Sequence, residues 1–142
     1  MRLRKINYLS LLALIVVLNF SCGNDDDTES IKADIIGIWE WDSGSVNGEI
    51  IIYSDCEQKN TVQFKSDGVI IFTEYNGEDC METSTTGEND KYTVNGNLVK
   101  VFYNGSNTSS EQFTILEVTD FKLKSTGEED GITYIMEYIK LE

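Results

Sequence analysis

The strongest constraint on how this chain can fold is its punctuation. Six turn dipeptides stand between residues 47 and 131: Asn47-Gly48, Asp67-Gly68, Asn76-Gly77, Asn95-Gly96, Asn104-Gly105 and Asp130-Gly131; the chain has no proline. Asn-Gly and Asp-Gly accept the positive φ of a type I′ turn, whose twist matches that of two flanking antiparallel strands. Between them run short segments rich in β-branched and aromatic residues, at 38–42, 49–53, 61–65, 69–75, 91–94, 98–103, 112–118, 121–124 and 132–141. Runs of that length, each closed by a turn signal, read as strands, which leaves 80–90 as a loop. Val94-Asn95-Gly96-Asn97-Leu98 and Lys65-Ser66-Asp67-Gly68-Val69 are the clearest hairpins.

Successive side chains in a strand point to opposite faces. In 132–141, Ile132, Tyr134, Met136 and Tyr138 share one face, while Thr133, Ile135, Glu137 and Ile139 share the other. Leu98, Lys100 and Phe102 alternate in the same way with Val99, Val101 and Tyr103. Several strands are thus apolar on both faces near their middle. That suits a sheet that closes on itself while packing against something at one end. An all-β meander of about eight hairpin-linked strands closes most simply as an up-and-down antiparallel β-barrel. The competing architecture is an open two-sheet sandwich.

Composition removes several kinds of chemistry. There is no His, and the only Arg residues are Arg2 and Arg4. The commonest general base and zinc ligand are therefore missing, as is the bidentate anion fork beyond residue 4. The formal charge is −14, with 25 acidic residues against 11 cationic. Affinity for nucleic acid rests on Lys and Arg neutralising phosphates, so no nucleic-acid partner is expected. A pair of carboxylates can hydrolyse a glycosidic bond without His, and Glu74, Glu117 and Glu137 fall in expected strands. So many acidic residues supply such candidates by number alone, and the chain is read as a non-enzyme without cofactor or metal.

The first 21 residues have a different character. Arg2, Arg4 and Lys5 precede an apolar run over 8–20 that ends in Ser21-Cys22, the three-part layout of a signal peptide. A membrane-spanning anchor, the other reading, needs about 20 apolar residues. Leu18-Asn19-Phe20-Ser21-Cys22 resembles a bacterial lipobox. That resemblance implies removal of residues 1–21, acylation of Cys22 with palmitate-type chains, and a lipid anchor at the outer membrane. Several acyl chains make such an anchor stable where one is marginal. Residues 22–34 are expected to be an acidic, disordered tether, because so polar a run buries little apolar area. Within it, 23–30 also resembles the acidic export signal of Bacteroidota-type surface lipoproteins, which implies display at the cell surface; a plain solvated linker is the other reading.

A second resemblance covers 35–142. Ile36-Gly37-Ile38-Trp39-Glu40-Trp41 resembles the Gly-x-Trp opening strand of lipocalin-like domains. The ordered set that follows is similar to the small lipocalin-like lipoproteins of the same bacterial group: Cys56, then Phe64-Lys65-Ser66-Asp67-Gly68, Cys80, Gly87 and Tyr92-Thr93-Val94-Asn95-Gly96-Asn97-Leu98. This implies a barrel with Trp39 at the closed end and an open end that admits a small apolar or amphipathic ligand. Cavities of that kind are mostly aromatic and aliphatic, which makes Trp39, Phe64, Phe72, Phe102, Tyr134 and Met136 the candidate lining. The same side chains could equally fill a small barrel solid.

With Cys22 assigned to lipid, Cys56 and Cys80 remain, and an even pair in an exported domain reads as a disulfide. Two free thiols at a redox or metal site are the alternative, without a His or a Cys-x-x-Cys spacing to support it. The alternative function is a monomeric, non-catalytic surface domain that recognises a protein or glycan through Tyr53, Tyr75 or Tyr103 near strand ends.

Overall fold

The computed structural model describes residues 25–77 and 79–141; the expected signal peptide and Cys22 lie outside the described residues. A helix, α1 (Asp25–Asp34), leads into ten strands: β1 (Gly37–Val46), β2 (Glu49–Ile51), β3 (Thr61–Phe64), β4 (Ile70–Asn76), β5 (Met81–Thr85), β6 (Lys91–Asn95), β7 (Leu98–Phe102), β8 (Glu111–Val118), β9 (Lys122–Glu129) and β10 (Ile132–Leu141). Short 3-10 turns lie at Glu57–Lys59 and Tyr103–Gly105. All strands join one antiparallel sheet in the order β5-β4-β3-β1-β10-β9-β8-β7-β6, with β2 folded back on the far half of β1.

The order is that of a meander curled until its first and last strands meet. β1 pairs with β10 from Ile38↔Leu141 to Val46↔Tyr134, so the sheet's free edges fall in mid-sequence, at β5 and β6. Those edges approach at a seam. Val69 bridges Lys91, the Tyr92 N–H donates to the Gly68 carbonyl (2.8 Å), and the Ile70 N–H donates to the Asp90 carbonyl (3.1 Å). The buried Asp90 carboxylate accepts from the Asn104 N–H (2.7 Å), which ties the seam to the 3-10 turn after β7. The lipocalin-like barrel expected from the sequence is present as a single curled sheet, and among the described residues no second sheet packs on it as a sandwich would require.

Each expected strand forms, and one more does: β5 lies in the stretch read as a loop. All five of its residues are exposed, so it carries no apolar stripe to mark it. Backbone pairing with β4, from Thr73↔Thr85 to Asn76↔Met81, holds it, together with the Thr83 hydroxyl, which donates to the Glu74 carbonyl (3.3 Å). A second departure is α1, which occupies residues expected to be a disordered tether. Its apolar positions decide the matter. Ile31 packs against the core, and one turn later the fully buried Ile35 donates its N–H to the Ile31 carbonyl (3.0 Å). Two isoleucines four apart lie on one helix face, enough to dock a short helix that charge content alone would leave free.

The core fills the end of the barrel next to α1. Trp39, Phe64, Ile70, Val99, Val101 and Leu123 are all nearly or fully inaccessible there. Gly37 has φ +141°, a region L side chains rarely adopt. A Cβ at that position would lie 2.7 Å from Lys140 Cε. Its absence lets the Lys140 stem cross the strand opening and set its ammonium 4.9 Å from the centre of the Trp39 ring. A cation over an indole face contributes about 0.5–2 kcal/mol, depending on how dry the site is.

A candidate ligand cavity

Strand parity builds the interior. The inward row of β10 is Ile132, Tyr134, Met136, Tyr138 and Lys140, because Tyr138 pairs with the buried Leu123 and Met136 with the buried Ser125. The register then places Leu123, Ser125, Gly127 and Glu129 inward on β9, and Glu111, Phe113 and Ile115 inward on β8. On β3 and β4 the inward residues are Val62, Phe64, Ile70, Phe72 and Glu74. On β1 the face of Trp39 and Trp41 ends at a bulge between Trp41 and Ser43, beyond which the register shifts by one residue. A bulge bends the strand and re-aims the side chains after it. Trp41 therefore closes one wall, its ring 5.2 Å from that of Tyr53.

Between the filled end and the opposite rim these rows enclose a cavity of about 790 Å³. That lies within the range of small-molecule sites, roughly 300–1,000 Å³. Its floor is apolar, made by Val62, Phe64 and Leu123, and its walls are aromatic, made by Trp41, Phe72, Tyr103, Phe113, Tyr134 and Tyr138. Phe64 and Phe113 meet edge to face at 6.4 Å between ring centres, and Phe72 and Tyr103 at the same distance. The rim is polar and carries Glu74, Glu111, Glu128 and Glu129.

Burial disfavours ionisation of three phenols here, Tyr103, Tyr138 and Tyr53. Burial raises Tyr103 above the ordinary phenol range, helped by its donation to Glu111 Oε2 (2.5 Å) and by the charges of Glu111, Asp90 and Glu74. Tyr138 is pushed up to about 12, chiefly by burial, with Glu111 adding to the shift and a hydrogen bond with Ser125 opposing it. Tyr53 donates its hydroxyl to Met136 Sδ (3.3 Å), and burial raises its pKa as well. On the outer wall Glu137 takes both Lys122 (2.9 Å) and Lys124 (2.7 Å), which depress its pKa and raise that of Lys122.

Of the six residues expected to line the cavity, Phe64, Phe72, Tyr134 and Met136 do so. Trp39 does not: it is fully inaccessible, donates Nε1–H to the Ile35 carbonyl (2.7 Å), and plugs the closed end. Phe102 does not either, because Val99 and Val101 are the buried positions of β7 and Phe102 falls on the alternate, outer face. Lys100 on that same face was the signal that it meets solvent. Trp41, Phe113 and Tyr138 were missed, although each follows from alternation once one inward residue of its strand is known. Tyr103, expected as a surface aromatic, lies in the cavity wall. Glu74 reaches the rim while Glu137 is turned outward, so the carboxylates considered for glycoside hydrolysis do not share the cavity.

The structure brings Cys56 and Cys80 together, but as two thiols rather than as the expected disulfide. The buried Cys56 thiol is raised to about 11 by burial first and then by its hydrogen bond and charge interaction with Cys80. Cys56 precedes β3 and Cys80 lies between β4 and β5. Cys22, the residue expected to be acylated, lies outside the described residues.

Residues 35–125 match the family model described as a lipocalin-like domain. No curated protein and no solved structure matches the chain.

Proposed function

The chain belongs to the family of lipocalin-like domains, and from that premise we propose that it is a binding protein whose barrel holds one small apolar or amphipathic molecule. One observation carries the reading: the cavity of about 790 Å³ above the filled end, with an apolar floor of Val62, Phe64 and Leu123 and walls of aromatic rings. A cavity of this size with few polar groups on its floor suits a ligand buried over most of its surface. The role proposed is binding without catalysis, with no metal or cofactor. We further propose that the domain is exported, acylated on Cys22 and held at the outer membrane, on the strength of the basic and apolar leader and the lipobox-like 18–22.

Trp41, in the cavity wall, and Trp39, outside it, give the test of binding. Titration with the neutral fluorophore phenylnaphthylamine should produce saturable one-to-one emission enhancement, which Trp41→Ala should weaken and Trp39→Phe should affect less. Absence of saturable binding would overturn the proposal. Anchoring is tested separately by labelled palmitate: the native chain should incorporate it in a bacterial host and Cys22→Ala should not, whereas equal labelling of both would refute the anchor.

A further inference from the structure

The inward rows of three strands follow one gradient from floor to rim. Along β4 they read Ile70, Phe72, Glu74; along β8, from the closed end, Ile115, Phe113, Glu111; along β9, Leu123, Ser125, Gly127, Glu129. Each row begins apolar and finishes at the mouth with a glutamate that lines the cavity. β8 and β9 are neighbours, which sets Glu111 beside Glu129, while β4 lies on the other side of β1 and brings Glu74 from a separate part of the sheet. Among the described residues no lysine lines the cavity; Lys122 and Lys124 are engaged by Glu137 on the outer wall, and Lys140 lies over Trp39 at the far end. Glu111 is fixed by the Tyr103 hydroxyl, which leaves its second oxygen for another donor. Tyr103 and Tyr138, both in the wall, have their pKa values raised partly by the charge of Glu111, and Tyr103 also by that of Glu74.

Resting on the reading of the cavity as a binding site, we infer that the barrel selects amphiphiles with a positively charged head group: the apolar tail on Phe64, Phe72 and Phe113, the head between Glu74, Glu111 and Glu129. The carboxylates set the preference and the cavity makes the site. A cation at the rim is attracted by three carboxylates and by the faces of Tyr103, Tyr134 and Trp41, which suit an alkylammonium group in particular. A carboxylate-headed chain of the same length, a fatty acid, meets the same apolar floor but a repelling mouth with no cation to receive it.

The test is displacement of phenylnaphthylamine from the folded domain by three decyl probes, decyltrimethylammonium, decanol and decanoate, each below its micelle-forming concentration. The ammonium probe should compete at least about tenfold more tightly than decanoate, with decanol between them. Raising salt from about 50 to about 500 mM should shrink that gap, because the head group sits at an exposed rim. Joint replacement of Glu74, Glu111 and Glu129 by Gln should close it; all three sit at the rim, and circular dichroism checks that the variant folds. Equal or tighter binding of decanoate by the native protein, or a gap indifferent to salt, would overturn the inference while leaving the binding reading intact. If neither the fluorophore nor any decyl probe binds, the binding reading falls and this inference falls with it.

Discussion

Trp39 and Trp41 lie two residues apart on the same face of one strand, yet one belongs to the part of the barrel that is solid and the other to the part that is hollow. Trp39 is surrounded: Val62 stands opposite it on β3, Lys140 opposite it on β10, and the Ile35 carbonyl takes its indole N–H. Trp41 has a bulge immediately after it on its own strand, with Tyr53 beside it and open space in front. The strand supplies the same alternation to both. What differs is the size of the residues that face them, and at the mouth the row of β9 thins to Ser125 and Gly127 just where a large side chain would be needed to fill the barrel. A closed end packed to interior density gives stability, and an end left unfilled gives a site; one sheet does both by varying side-chain volume along its rows.

The contrast is most sharply broken by truncating each indole. Trp39→Ala should cost about 3–5 kcal/mol in urea unfolding, the usual penalty for removing a large buried ring. Trp41→Ala should cost about 1 kcal/mol or less and act chiefly on probe binding, since its ring borders a void already. Equal losses of stability would show that the mouth is as packed as the base. Next in size is oxidation of the thiol pair. A disulfide oxidant such as oxidised glutathione would take two electrons and two protons from Cys56 and Cys80, join their sulfurs and leave as two thiols. Closing a loop of about 25 residues should then raise stability by about 3 kcal/mol. Thiol titration before and after dithiothreitol checks the bond, and Cys56→Ser should abolish the gain.

A smaller effect comes from filling the hollow end directly. A Cβ on Gly127 would meet Phe113 Cβ at 3.7 Å and the Gln112 carbonyl at 3.5 Å, ordinary contacts, with the cavity beyond. Gly127→Phe should therefore fold and weaken fluorophore binding at least about tenfold, or about 1.4 kcal/mol. Unchanged affinity would place the ligand elsewhere. The smallest effect belongs to the outer wall. The Glu137 pKa is depressed by Lys124 and Lys122, so its contribution is present above the ordinary carboxylate range and is lost as pH falls through the lower folded value. Acid titration of stability should show that component in the native protein and lose it in Glu137→Gln, with ligand binding unaffected. Partly exposed pairs of this kind contribute little, so the expected change is a small shift of the urea midpoint.

Much of the fold was legible because it is written in local chemistry. The Asn-Gly and Asp-Gly pairs mark turns through their tolerance of positive φ: Asn47 and Asp130 adopt it in hairpins and Asn104 in a 3-10 turn, whereas at Asp67-Gly68, Asn76-Gly77 and Asn95-Gly96 only the glycine does. β5 was illegible for the complementary reason: with every side chain exposed, it is a strand only because β4 offers its edge. α1 was misread because composition averages over positions, whereas docking depends on where Ile31 and Ile35 fall. The cavity was half legible. Residue type points to Phe64, Phe72, Tyr134 and Met136, but type cannot say which face of β7 is inside, and there Phe102 lies on the outer face while Tyr103, just beyond the strand, lies in the wall.

By itself, then, the sequence determined an antiparallel meander, its turns, a lipocalin-like opening at Gly37 and Trp39, and an acidic chain with no His. These depend on the backbone preferences of a few adjacent residues or on counting charges. Only the tertiary structure decided that Trp39 plugs one end while Trp41 borders a void, that Cys56 meets Cys80, and that Glu74, Glu111 and Glu129 converge on one mouth. Those relations join residues up to about a hundred positions apart through strand register and curl, and no local preference encodes which side chain will stand across a barrel from which.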